Sequence, residues 1–152
     1  MHIRLLRLDE LPLIVAHGKE FFAEYQPLFA PATFVPEIFL DTITQMILWG
    51  QVDILGLFDG ETIIGGIGLS KTPDMFDGTL MGKELFFYVQ PSHRKGTTTM
   101  KILKAMKAWA QDNKIARLYL VHLHFGALQD KLERVYTHYG FTRLETTYRL
   151  VL

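Results

Sequence analysis

Residues 83–110 read KELFFYVQPSHRKGTTTMKILKAMKAWA, and the order of elements in this stretch organises the rest of the chain. Leu85 to Val89 is an apolar run of strand character that ends at Gln90-Pro91. A short basic turn, Ser92 to Gly96, leads into a helix that starts on threonines and carries Ile102, Leu103, Met106, Trp109 and Ala110 on one face. The first turn of any helix leaves backbone N–H groups unpaired and carries the positive end of the helix dipole. The amides around Gly96 to Thr99 are therefore predicted to hold an anion, with Arg94 and Lys95 adding full charges beside them.

On the N-terminal side, residues 2–7 read as a strand, and a helix is expected over 9–25 with Asp9 as its cap and Pro12 in its first turn. Gln26 to Pro36 holds three prolines and reads as a connection. Tyr25, Phe29 and Phe34 lie in or beside it; they either pack under the loop or form the wall of an acceptor site. Glu37 to Trp49 is a second helix, stopped by Gly50. Val52–Phe58 and Thr62–Leu69 are strands joined by Asp59-Gly60-Glu61, a hairpin signal because Asp and Gly tolerate positive φ. Gly65, Gly66 and Gly68 inside the second strand predict a bend or close packing, and Lys71 to Gly78 is expected to break the sheet.

On the C-terminal side, Arg117 to Leu123 is predicted as a strand and Gly126 to Tyr139 as the last helix, closed by Gly140. Phe141 to Leu152 is expected to add one or two closing strands. A helical crossover between the Leu85 and Leu118 strands makes them parallel, and parallel neighbours that separate at their carboxyl ends leave a cleft for a ligand.

The strand, the V-x-P turn with Arg94 and its glycine, and the following helix together resemble motif A of the GCN5-related N-acetyltransferase (GNAT) superfamily, whose turn wraps the pyrophosphate of acyl-coenzyme A. The family pattern [Q/R]-x-x-G-x-[G/A] aligns with Arg94 to Thr99. Threonine then occupies both small-residue positions, 97 and 99, and Gly96 falls one place early. A second landmark, Val135-Tyr136-Thr137-His138-Tyr139-Gly140-Phe141, is similar to the family's late Y-x-x-x-G-F segment. The H-R-K-G-T-T-T turn is also similar to that of divergent acetyltransferase-like proteins often encoded by bacteriophages.

The resemblance implies an α/β (α+β) acyl-CoA N-acyltransferase fold with a mixed central sheet of roughly six or seven strands and about four flanking helices, the whole of 1–152 forming one domain. It implies transfer of an acetyl or other acyl group from acyl-CoA to an amine acceptor by direct attack. Lys95, Gly96, Thr97, Thr98 and Thr99 would form the phosphate cradle with Arg94 alongside, and the strand at Tyr88 and Val89 would face the thioester and pantetheine arm. Tyr136 matches the family tyrosine that protonates the leaving thiolate; packing of the last helix is its other reading. Glu84 opens the organising strand and is the candidate general base, placed by simple alternation on the face of Phe86 and Tyr88. Tyr25, Phe29 and His124 are candidates for acceptor binding. The alternative is a protein that keeps this fold without catalysis, as a binding or structural component of an assembly.

Composition limits the rest. There is no cysteine, which removes disulfides, thiolate zinc sites and a cysteine nucleophile. His122 and His124 share a strand face, but no third ligand follows by spacing, so no metal is expected. Sixteen basic residues balance sixteen acidic ones, which gives no field for nucleic acid. No run reaches the ~20 apolar residues of a membrane span, so a cytoplasmic protein is expected. The expected partners are acyl-CoA and an amine, and self-association as a homodimer stays open. No G-x-x-x-x-G-K-[S/T] or G-x-S-x-G motif occurs, and the Gly65–Gly68 run precedes a loop, not a helix.

Overall fold

The computed structural model describes residues 1–123 and 129–151, which fall into two compact units, Met1–Val121 and His122–Leu152. The first unit is built on a five-stranded sheet in the order β1 (His2–Leu5), β2 (Val52–Asp59), β3 (Thr62–Pro73), β4 (Leu80–Val89), β5 (Arg117–Tyr119). The first four strands run antiparallel to their neighbours, and β5 runs parallel to β4. Helix α4 (Gly96–Asp112) makes the expected crossover between that parallel pair.

Helices α1 (Pro12–Glu24) and α3 (Pro36–Leu48) cover one face of the sheet. Both begin on proline, whose fixed φ and missing N–H suit a first helical turn. Asp9 caps nothing; a 3-10 turn at Leu8–Glu10 precedes α1, and Glu10 accepts the Arg7 amide at 2.9 Å and both arms of Arg4 at 2.7 Å. These bonds hold the Glu10 carboxyl down at about 2. A one-turn helix, α2 (Gln26–Phe29), lies within the expected connection. The core on this face joins Leu11, Ile14, Ile43, Val52 and Ile54, with Phe39 and Phe86 packed against it. Burying a side chain such as Ile14 fully is worth about 1.5–3 kcal/mol.

The glycines of β3 are spacers for this packing. A Cβ on Gly66 would lie 2.5 Å from Ile14 Cδ1, and one on Gly68 would lie 2.6 Å from the Phe86 ring. On the opposite face lies α4, with Ile102, Leu103, Met106 and Trp109 buried. Trp109 Nε1 donates to Asp53 Oδ2 at 2.8 Å, and Lys71 Nζ reaches the same oxygen at 2.8 Å, tying β2, β3 and α4 together. The expected hairpin forms with Gly60 at φ +59, as positive φ requires there.

Three expectations about the sheet need correction. Strand β3 continues to Pro73, since Lys71, Thr72 and Pro73 pair with Gly82, Met81 and Leu80. Strand β5 ends at Tyr119, not at Leu123, because its ladder with β4 stops at Lys83↔Tyr119. The described residues therefore hold five strands where roughly six or seven were expected. The closing strands are the missing ones: residues 141–151 have no regular structure, with Leu144, Tyr148 and Leu150 exposed. Alternation alone does not make a strand; a ladder partner must satisfy the backbone.

The second unit holds α5 (Gln129–His138), whose end follows its sequence closely. Gly140 has φ +86 and donates to Thr137 O at 3.0 Å, while Phe141 N donates to Tyr136 O at 3.0 Å. This pair of bonds is the Schellman motif, which satisfies carbonyls the helix end would leave bare.

Candidate active site at the β4–α4 turn

The turn between β4 and α4 is shaped by its own hydrogen bonds. A 3-10 turn at Pro91–His93 carries Arg94 N to Pro91 O at 3.2 Å and Lys95 N to His93 O at 2.9 Å. Lys95 is the N-cap of α4, and its carbonyl accepts Thr98 N at 2.9 Å and Thr99 N at 3.3 Å. Among the described residues, Gly96 and Thr97 are the positions of the predicted cradle whose amides take no backbone partner. Nothing lies within 4 Å of where a Cβ on Gly96 would stand. Thr97 is exposed, Thr99 half-buried and Thr98 buried. The space beside Gly96 is thus open, and the exposed Lys95 adds charge next to it.

Arg94 is turned away to another task. Its Nε donates to Val89 O at 2.7 Å, and its guanidinium makes a two-armed ion pair with Glu24 at the end of α1, with Nη1 at 2.7 Å from Oε1. The guanidinium carbon also stands 5.2 Å from the centre of the Tyr88 ring. This side chain fastens α1 to the turn, and its charge is balanced there.

Tyr88 and Val89 are buried at the end of β4. The Tyr88 ring meets Phe21 edge-on at 6.4 Å and His17 at 6.0 Å. Phe21 in turn contacts Tyr25 at 5.0 Å and Phe29 at 5.7 Å, so two of the three predicted acceptor residues belong to an aromatic cluster reaching Tyr88. Burial, and then the neighbouring Glu20, raise the Tyr88 phenol; burial, and then Glu24, raise that of Tyr25.

Glu84 is the site's unusual group. At the Gly68/Leu69 step the register of β3 with β4 shifts: Gly68 faces Phe86 while Leu69 faces Glu84, which leaves Leu85 as a bulge. The extra residue inverts the alternation. Glu84 therefore shares the α4 face with Gly82 and not, as simple alternation predicted, the face of Phe86 and Tyr88. Its side chain is buried, with 7% exposure, and Oε2 accepts the Val121 amide at 3.3 Å. Burial dominates that single bond and pushes the carboxyl up to about 8.

In the second unit, Tyr136 is buried, its ring 6.2 Å from that of His122 and 5.9 Å from that of Phe141. His124 lies outside the described residues. No group of three His, Asp or Glu able to hold a metal occurs among the described residues, and none of their helices is long and apolar enough to cross a membrane. Sequence reasoning missed Glu24, Glu20, His17 and Phe21. Glu24 stands 70 positions from Arg94, and no local pattern announces such a partner.

The mixed sheet carries helices on both faces, and its parallel pair parts beyond Lys83↔Tyr119; α/β proteins generally place ligands at such separating strand ends. Residues 19–141 match the family described as Acetyltransferase (GNAT) family, and the chain belongs to that family. The chemistry of that family is acyl transfer with acetyl-CoA as co-substrate. The fold is similar to the crystal structure of a probable acetyltransferase, with 16% identity over 100% of this chain and 98% of the other and a TM-score of 0.79. It is similar to a predicted acetyltransferase with acetyl-CoA from Clostridium acetobutylicum, with 16% identity over 99% and 95% and a TM-score of 0.76. It is also similar to an aminoglycoside antibiotic 6'-N-acetyltransferase from Acinetobacter haemolyticus, with 15% identity over 100% and 98% and a TM-score of 0.70. No match is found among curated protein sequences.

Proposed function

We propose that this chain transfers an acetyl group from acetyl-CoA to an amine. The observation that carries this reading is the open turn at the start of α4, where the Gly96 and Thr97 amides stand without backbone partners and nothing lies within 4 Å of where a Cβ on Gly96 would stand. Those two amides and the Lys95 ammonium would hold the diphosphate, with the Thr97 and Thr99 hydroxyls as further donors. Tyr88 and Val89 would line the arm of the coenzyme.

When bound, the coenzyme supplies an activated thioester. In the overall reaction the amine nitrogen bonds to the acyl carbon, the carbon–sulfur bond breaks, the amine loses a proton and the thiolate gains one. Tyr136 is the proposed donor of that last proton, on its match to the family segment and the residue type. Tyr25 and Phe29 are proposed to face the acceptor. An aminoglycoside is one acceptor class the fold relatives suggest, since the Acinetobacter haemolyticus structure is an aminoglycoside acetyltransferase.

Titration with acetyl-CoA in a thermal-shift experiment tests binding. At a hundred times the dissociation constant, stabilisation of about 2.7 kcal/mol is expected. Release of free coenzyme A across a panel of amines, aminoglycosides included, tests transfer. No shift at millimolar acetyl-CoA would refute the reading and favour the catalysis-free alternative.

A further inference from the structure

The ladder between β4 and β5 is three rungs long, from Met81↔Arg117 to Lys83↔Tyr119. A fourth rung would bring Leu120 to Glu84 and continue the sheet. Instead β4 runs on to Val89 while the chain after Tyr119 leaves it. Parting two strands has a cost, because each amide past the last rung loses its main-chain acceptor. The Val121 amide, two residues beyond the last rung, is met by a side chain: Glu84 Oε2 at 3.3 Å.

The arrangement around Glu84 suits this task. The bulge at Leu85 turns Glu84 to the α4 face at the level where the ladder ends. Gly82, one pleat earlier on that face, leaves room for the Trp109 ring and Leu118. The charged groups nearby are engaged elsewhere: Lys71 is paired with Asp53, and Arg117 with Asp74 and Asp77. The adjacent Lys83 falls on the other face. Among the described residues no charged side chain draws Glu84 toward ionisation, and Val121 N is its bonded partner.

We propose that Glu84 is a positioning residue: its carboxyl oxygen replaces the β4 main-chain acceptor for Val121 and so sets where β5 parts from β4, and it does not take the amine's proton. The fork then leaves the Leu85–Val89 edge of β4 free of a β5 partner, and only the use of that edge by a coenzyme rests on the acetyltransferase reading.

Amide hydrogen exchange on the full chain tests this directly, in wild type, Glu84→Gln and Glu84→Leu. Glutamine keeps an acceptor oxygen in the same shape, whereas leucine removes it. The expected result is Val121 protection within about threefold of wild type for glutamine and exchange faster by about tenfold for leucine, with the β3 amides unchanged. The companion readouts are acetyl-CoA affinity and turnover. The expected pattern is weaker acetyl-CoA binding for leucine, and a fall in kcat of less than about tenfold for glutamine. Unchanged Val121 exchange in the leucine variant overturns the proposal. So does a loss of about a hundredfold in kcat with intact acetyl-CoA affinity in the glutamine variant, which is the behaviour of a base. If wild type binds no acetyl-CoA, the acetyltransferase reading fails, and Val121 exchange still decides the role of Glu84.

Discussion

Glu84 makes folding stability depend on pH in a direction opposite to that of most carboxylates. Its folded value is about 8 against an ordinary 4.5, because burial disfavours the charged form. Below pH 4.5 the group is protonated in both folded and unfolded chains and contributes no pH dependence. Between 4.5 and about 8 the unfolded chain releases the proton and the folded chain keeps it, so stability falls as pH rises. Above about 8 both forms are ionised and the fall ends. The slope is about 1.4 kcal/mol per pH unit, which amounts to about 3 kcal/mol at pH 7 and about 5 kcal/mol across the whole window. That is a large share of the ~5–15 kcal/mol that holds a typical domain folded. Glu84→Gln removes this titration while preserving shape. Urea unfolding followed by the fluorescence of the buried Trp109, repeated from pH 5 to pH 9, should give curves for the two proteins that diverge steadily up to pH 8 and then run level. The glutamine variant should be the more stable at the alkaline end. Parallel stability curves from pH 5 to pH 8 would refute the buried, neutral carboxyl.

Asp53→Ala strips the acceptor from both Trp109 Nε1 and Lys71 Nζ and should cost about 2–3 kcal/mol in urea unfolding. Gly65→Ala places a Cβ 2.3 Å from the Tyr88 carbonyl oxygen, backbone against side chain with nothing flexible to yield. A loss of about 2–3 kcal/mol is expected, read as a lowered denaturation midpoint. Lys95→Ala should weaken acetyl-CoA binding and flatten its salt dependence, measured by calorimetry at two ionic strengths. Tyr136→Phe should lower kcat by about a hundredfold and leave acetyl-CoA affinity unchanged, since the ring and its packing against Phe141 are kept.

What the sequence determined by itself is whatever depends on near neighbours along the chain. Leu85–Val89 followed by Pro91 and the threonine-started helix specified strand, turn and crossover, because periodicity and helix-end chemistry act over a few residues. Asp59-Gly60 specified a hairpin and Gly140 a helix end, because glycine alone reaches those backbone angles cheaply. Tertiary structure alone decided the details of the turn and of the strand beside it. The bulge at Leu85 depends on register with β3, and one extra residue carried Glu84 to the other face. The Arg94 charge went to Glu24, a partner brought near only by packing α1 on the sheet. Of the five amides predicted to form the cradle, the turn's own carbonyls took those of Lys95, Thr98 and Thr99, leaving Gly96 and Thr97. Strand pairing and side-chain partnership are long-range choices among many local equals, and only the folded arrangement makes them.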